Sequence, residues 1–233
     1  LLKLQKGEVK VAGYDARHMK NEMFNRIGVS FEQSNVYSKL TGKENLAFYR
    51  RLFDTKTREP GELLKLVGLT GKENVRAGEY SKGMKVRLNF VRAMLNAPRI
   101  LFLDEVTNGL DPANARIIKD IIAEYRQAGG TVFLTTHLMS DVEQLCDRVA
   151  FCVQGRIEEV STPRELKLHY GRREVTVEYR EAGKLESRCF PMEKIGENAE
   201  FLSVLTEKEI ETLHSGETSM EDIFIRVTGV KVT

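Results

Sequence analysis

The chain has 233 residues, a formal net charge of +2 and 30% charged residues, a balance that singles out neither nucleic acid nor an anionic membrane surface as a partner. No apolar run approaches the length needed to cross a membrane, and no secretory leader is visible. Of the three cysteines, none with metal-ligand spacing, Cys146 and Cys152 fall in apolar patterns and are expected as reduced core residues; Cys189 stands apart, and His18, His169 and His214 read as surface groups.

Residues 26–33 form a strand candidate that ends on Gln33. From 34 to about 98 the pattern turns helical. Thr41 and Glu44 have the spacing of a capping box, opening a helix with Leu46, Tyr49, Leu52 and Phe53 on one face. Residues 60–67 read as a short helix stopped by Gly68. The next helix starts after Ser81, a good N-cap, and ends before Pro98; Gly83 lets a ligand approach its first-turn amides. Lys82 and Lys85 stand in that turn, where the helix dipole disfavours cations, so free amides topped by positive charge suit a docked anion. The plainer alternative is an amphipathic helix with a solvated basic face.

Residues 100–105 are the most informative stretch. Four large apolar residues in succession read as a parallel strand buried on both faces, and two carboxylates follow at the carboxyl end, where open α/β sheets bind ligands. Asp104 is placed to hold a divalent metal and Glu105 to activate a water. Taken alone, the segment reads more simply as a core strand followed by two solvated acids. Residues 131–137 add a β-branched run that ends on His137. If the three strands are parallel neighbours, Gln33, Glu105 and His137 converge on one sheet edge, as a phosphate-hydrolysing site requires.

Further on, Ser140 and Glu143 read as a helix cap, and residues 149–153 as a strand that turns at Gln154 and Gly155. A boundary is expected near Tyr170 and Gly171. Beyond it Val175, Val177 and Tyr179 alternate with polar residues, Gly183 marks a turn into a second strand, and Thr206 with Glu209 reads as the cap of a helix. Residues 218–227 read as a last helix with Met220, Ile223, Phe224 and Val227 on one face and Gly229 after its end.

In order and spacing, these segments resemble the nucleotide-binding subunits of ATP-binding-cassette (ABC) transporters. The stretch around Gln33 looks like the glutamine loop, residues 80–84 like the signature motif, and residues 100–105 like the Walker B strand with its glutamate. Residues 108–111 are similar to the aspartate loop and residues 135–137 to the switch histidine. There are two departures. Lys82 replaces a signature glycine, a form associated with single-cassette bacterial exporters, and Val106 stands where proline follows the Walker B acids, which should loosen that turn. No P-loop is present: Gly42-Lys43 and Gly71-Lys72 are each followed by glutamate and lack the required upstream glycine. Residues 1–11 look like the family segment that begins after the P-loop, with the remnant of its helix, so the sequence reads as an amino-terminally shortened or incompletely represented cassette, expected to be inactive on its own.

The resemblance implies an α/β P-loop NTPase fold with a mostly parallel core sheet, a helical signature subdomain at about 34–98, and a small α+β C-terminal extension. The ATPase domain would span 1–170 and an accessory segment 171–233. It also implies ATP and Mg²⁺ as cofactors: Asp104 and Gln33 would hold the metal, Glu105 would polarise the attacking water, and His137 would contact the terminal phosphate. Ser81, Lys82, Gly83 and Met84 would meet nucleotide bound on a second ATP-binding subunit, with Asp111 coupling the two sites. The remaining implied partner is a transmembrane permease, placing the subunit in the cytoplasm on the inner face of the membrane, with no nucleic acid. The function implied is ATP hydrolysis that powers export. Two alternatives share the motifs. A non-hydrolysing partner of an asymmetric heterodimer fits the imperfect signature less well than it conflicts with an intact Glu105 and His137. A DNA-repair-type head would place a long coiled coil between Gln33 and Ser81, where this chain has no sustained heptads.

Overall fold

The computed structural model describes residues 4–18, 20–171, 173–181 and 183–229. They form two compact units, Leu1–Asp141 and Val142–Thr233. The boundary expected near 170–171 therefore lies inside the second unit. Among the described residues no helix is long and apolar enough to cross a membrane.

The first unit opens on a hairpin, β1 (Lys10–Val11) and β2 (Tyr14–Asp15), followed by α1 (Asn21–Phe24). Leu4 to Val9 hold no helix, so the described part of the expected remnant is not helical; Leu1 to Lys3 lie outside the described residues. The central sheet is β3 (Ile27–Ser30), β4 (Ile100–Asp104) and β5 (Thr131–Thr135), all parallel in the order β3-β4-β5. Between β3 and β4 come α2 (Gly42–Arg50), α3 (Pro60–Leu66) and α4 (Lys82–Arg92); α5 (Pro112–Gln127) joins β4 to β5, and α6 (Met139–Leu145) follows.

The helix starts are locally encoded. At α2, Thr41 accepts the Glu44 amide at 3.1 Å and the Glu44 carboxylate accepts the Thr41 amide at 2.8 Å, a complete capping box. That helix ends at Arg50, leaving Leu52 65% exposed instead of on the buried face expected for it. The α6 helix starts at Met139, so Ser140 is a residue within it and not its cap.

The strand at 100–104 corrects the expectation of burial on both faces. Leu101 and Leu103 are buried, whereas Phe102 is half-buried and packs on Phe133 of β5, which is 59% exposed. The covered face lies against α4. A Cβ on Gly28 would stand 1.9 Å from the Ala93 carbonyl oxygen and 2.8 Å from Leu101, so only glycine permits so close an approach of helix to strand. Two asparagines reinforce this seam. Asn89 on α4 donates to Ser30 Oγ at 3.0 Å and to the Phe31 carbonyl at 2.8 Å, and Asn96 donates to the Ile27 carbonyl at 2.9 Å.

In the second unit, β6 (Val149–Val153) and β7 (Arg156–Ser161) form a hairpin through Gln154 and Gly155, both with positive φ. The capping box of α7 (Pro163–Tyr170) is built from Thr162 and Glu165. Strands β8 (Arg173–Glu181), β9 (Lys184–Pro191) and β10 (Glu209–Glu217) form an antiparallel sheet in the order β10-β8-β9. Val175, Val177, Tyr179 and Phe190 pack with Phe201 and Val204 of α8 (Ala199–Glu207) in a separate core. The cap expected at Thr206 does not exist: Asn198 caps α8, the Thr206 hydroxyl bonds back to the Leu202 carbonyl at 2.9 Å, and Glu209 starts β10. The last helix, α9 (Met220–Thr228), is capped by Ser219 and closed by Gly229 in the left-handed region, with Phe224 against Phe151. Cys152 and Cys189 are exposed and Cys146 is half-exposed, so Cys152 is not the core residue expected. Alternation along β6 turns Val149 and Phe151 inward and Cys152 outward.

Candidate active site

The parallel register places Ser30, Leu103 and Leu134 side by side, with Asp104 opposite Thr135. All three carboxyl ends therefore open on one edge. Asp104 is exposed there, and its Oδ1 accepts from the Thr135 hydroxyl at 2.5 Å. Glu105 follows, its amide still bonded to the Thr135 carbonyl at 3.0 Å. Its φ of 51° lies in the left-handed region, a conformation that is strained for a side chain this long. The side chain turns towards the segment that follows β5: Glu105 Oε1 lies 2.8 Å from His137 Nδ1, and Oε2 is buried without a hydrogen-bond partner. The histidine side chain is 62% exposed against 19% for the glutamate, so the imidazole faces outward while the carboxylate stays in a drier setting.

Val106, expected to loosen this turn, sits in a closed one. Its side chain is 3% exposed, and the turn is closed by the Asn108 amide on the Glu105 carbonyl at 3.1 Å and the Leu110 amide on the Thr107 carbonyl at 3.2 Å.

The structure brings Asp104, Glu105 and His137 together, and leaves Gln33 exposed three residues past the end of β3. Its neighbour Glu32 is the residue that reaches across, with Oε1 3.4 Å from Asn108 Nδ2. The signature turn joins this edge through the 108–111 loop. Ser81 Oγ accepts the Met84 amide at 3.3 Å, capping α4. A Cβ on Gly83 would lie 3.4 Å from Leu110, and one on Gly109, whose φ is 69°, would lie 2.5 Å from Lys82 Nζ. The lysine that departs from the motif thus lies across a glycine of the adjoining loop. Asp111 caps α5 by accepting the Asn114 amide at 3.0 Å, and the Asn114 side chain, then that amide, hold its carboxyl below the usual range. Behind the turn, burial pushes the Arg87 guanidinium down from its usual pKa while the Asp111 charge pushes it up; Arg87 Nη1 donates to the Val67 carbonyl at 2.7 Å.

Sequence reasoning placed Thr135 in the switch segment without its bond to Asp104, and missed Thr107 and Asp141. Thr107 donates its hydroxyl to Asp141, which is 1% exposed, and Lys119 Nζ pairs with the other carboxylate oxygen at 2.5 Å. The spacing across the chain, 34 positions for the first contact, leaves no local signal for it.

Among the described residues no cluster of three His, Cys, Asp or Glu side chains can cage a metal. Magnesium in phosphoryl-transfer sites relies on one or two carboxylates together with substrate phosphates and waters, so an exposed Asp104 at the strand end fits that mode. The partnerless, buried Glu105 Oε2 fits a bound water.

Comparisons with known proteins identify the family of the chain. Residues 1–108 match the family model described as ABC transporter, and residues 173–217 match that of the fluoroquinolone efflux ABC transporter C-terminal domain. A fluoroquinolones export ATP-binding protein of Mycobacterium tuberculosis is 47% identical over 234 aligned positions, covering 100% of this chain and 78% of that protein. An uncharacterized ABC transporter ATP-binding protein of Bacillus subtilis is 35% identical over 71% of this chain and 55% of its own length. Two solved structures share the fold at 23% identity. One is a dimeric ATP-binding cassette in a post-hydrolysis state bound to ADP and Pi, with a TM-score of 0.61 over 68% of this chain and 74% of that one. The other is an ATP-binding subunit of an ABC transporter, with a TM-score of 0.63 over 71% of each chain. The chain belongs to the ATP-binding subunits of the ABC transporters.

Proposed function

We propose that the subunit hydrolyses MgATP at the carboxyl edge of β3, β4 and β5 to drive export through a membrane permease. The observation that carries this reading is the Glu105–His137 pair at 2.8 Å beside Asp104. Glu105 holds and polarises the attacking water through its free carboxylate oxygen. His137, oriented by the other oxygen, faces the terminal phosphate. Asp104, and Gln33 from its exposed loop, would hold Mg²⁺, which would neutralise charge on the phosphates. Phosphoryl transfer leaves the protein little covalent chemistry, so positioning and charge dominate. Ser81, Lys82, Gly83 and Met84 meet the nucleotide of a second ATP-binding subunit, and Asp111 links the two sites. The subunit then lies on the inner face of the membrane beside its permease. The tail at 171–233 serves as an accessory segment, and the similarity of residues 173–217 to a fluoroquinolone efflux domain supports a cargo of that class.

The test is Glu105→Gln in the full-length cassette. The substitution is nearly isosteric, keeps Asp104 and removes the charge that polarises the water, so turnover is expected to fall about a hundredfold or more. Binding of ATP survives, and blocked hydrolysis yields an ATP-dependent dimer on a sizing column. Wild-type turnover in this variant rules the assignment out.

A further inference from the structure

Asp141 is a buried carboxylate that the proposed mechanism does not use. A charge at 1% exposure is held only by compensating partners, and it has two, from different elements. Thr107 Oγ1 donates to Oδ2 from the turn between β4 and α5, and the Lys119 ammonium stands 2.5 Å from Oδ1 on α5, its side chain 18% exposed. Asp141 itself lies in the first turn of α6, its amide bonded to the Leu138 carbonyl at 3.0 Å. Leu138 in turn donates its amide to the Thr136 hydroxyl at 3.0 Å. The segment from Thr136 to Asp141 is therefore a chain of short local bonds with His137 inside it.

The geometry has a consequence for catalysis. Thr107 is two residues after Glu105, and Asp141 four residues after His137. The exposed contact between Glu105 and His137 is thus duplicated underneath by a buried one between Thr107 and Asp141. The upper contact alone cannot fix the geometry, since the imidazole is 62% exposed and Glu105 sits on a backbone held at a φ of 51°. A carboxylate is suited to the lower contact because its two oxygens bind two elements at once, which no apolar side chain of the same size does.

We infer that Asp141, charged and anchored by Lys119, is a positioning residue that locks the Glu105 turn to the His137 segment through Thr107. This rests on the hydrolytic reading of Glu105 and His137. Neither Asp141, Lys119 nor Thr107 touches the reacting atoms; they set the separation and pitch of the groups that do.

The experiment compares Thr107→Val and Thr107→Ser in the full-length cassette, measuring kcat and KM for MgATP and the thermal midpoint. Valine keeps the shape and removes the donor, so kcat is expected to fall about tenfold, an effect in keeping with sub-ångström misplacement of reacting groups. KM and the thermal midpoint stay near wild type, and serine restores kcat to within about twofold because it keeps the hydroxyl. Wild-type kcat in Thr107→Val, or a Thr107→Ser variant as slow as the valine one, overturns the inference. A loss of kcat matched by a fall in the thermal midpoint overturns it as well, since that is packing alone. Asp141→Asn provides a second arm: it retains an acceptor for Thr107 but removes the charge facing Lys119, and an unchanged kcat in it also counts against the inference. Glu105→Gln in the same preparation separates the two levels. If that variant turns over normally, the hydrolytic reading fails first; if it is dead while Thr107→Val is normal, only the positioning role fails.

Discussion

Strands β3, β4 and β5 and strands β8, β9 and β10 are both three-stranded sheets with an apolar face covered by helix, yet they use their ends differently. In the parallel sheet every carboxyl end opens on one edge, so residues as far apart in sequence as Glu105 and His137 meet there. In the antiparallel sheet the central strand runs against both neighbours, and its ends alternate. The second sheet has its own core of Val175, Val177, Tyr179 and Phe190 under α8, and its polar groups pair with one another, as the Thr212 hydroxyl does with the Glu178 carboxylate at 2.6 Å. Direction of chain, more than composition, decides which sheet can gather a site.

Three further experiments probe that division. Phe190→Ala empties a side chain that is 4% exposed and packed edge-to-face with Phe201, and is expected to destabilise the second unit by about 3–5 kcal/mol. Limited proteolysis should then cut within 142–233 while ATP turnover per folded cassette is kept; equal loss of turnover would break the contrast between the sheets. A smaller effect is expected at the helix caps, which the two units share. Thr41→Ala and Thr162→Ala each remove one capping box and should lower stability by about 1 kcal/mol, read as a shift in the denaturant midpoint. A large discrepancy between them would mean that one unit leans on its cap far more than the other.

The smallest effect concerns pH. Glu44 and Glu165 are each held below the usual carboxylate value of 4.5, mainly by the backbone amide of the capping threonine and then its hydroxyl. A depressed folded-state value gives stability that is present above 4.5 and is lost as pH falls through the lower, folded one. Both carboxylates are exposed, so the loss is slight and falls on both units alike. Glu44→Gln should flatten the acid limb of the melting curve of the first unit and leave that of the second unchanged.

The legible parts of this chain were those encoded within a few residues. The Thr41 box, the Ser81 cap, the Gly68 stop and the Gly229 close follow from adjacent side chains and backbone freedom. The strand edge with Asp104, Glu105 and His137 was also legible, because parallel strands announce themselves as apolar runs and their ends need only be counted. What was not legible depends on partners. Thr206 and Glu209 have the spacing of a capping box, but pairing of Glu209 with Arg180 on β8 draws that residue into a strand. Phe102 reads as buried from its apolar neighbours, but on the folded sheet it packs on Phe133, which is exposed. Asp141 stands in a string that reads as a surface helix start, and only folding brings Lys119 and Thr107 to it.

The backbone at Glu105 carries one more implication. A left-handed φ at a non-glycine residue costs roughly 1 kcal/mol, and glycine there would release it. Under the hydrolytic role proposed for Glu105, a screen that rewards melting temperature alone would therefore favour replacing the residue that turnover needs, setting thermal robustness against activity at position 105.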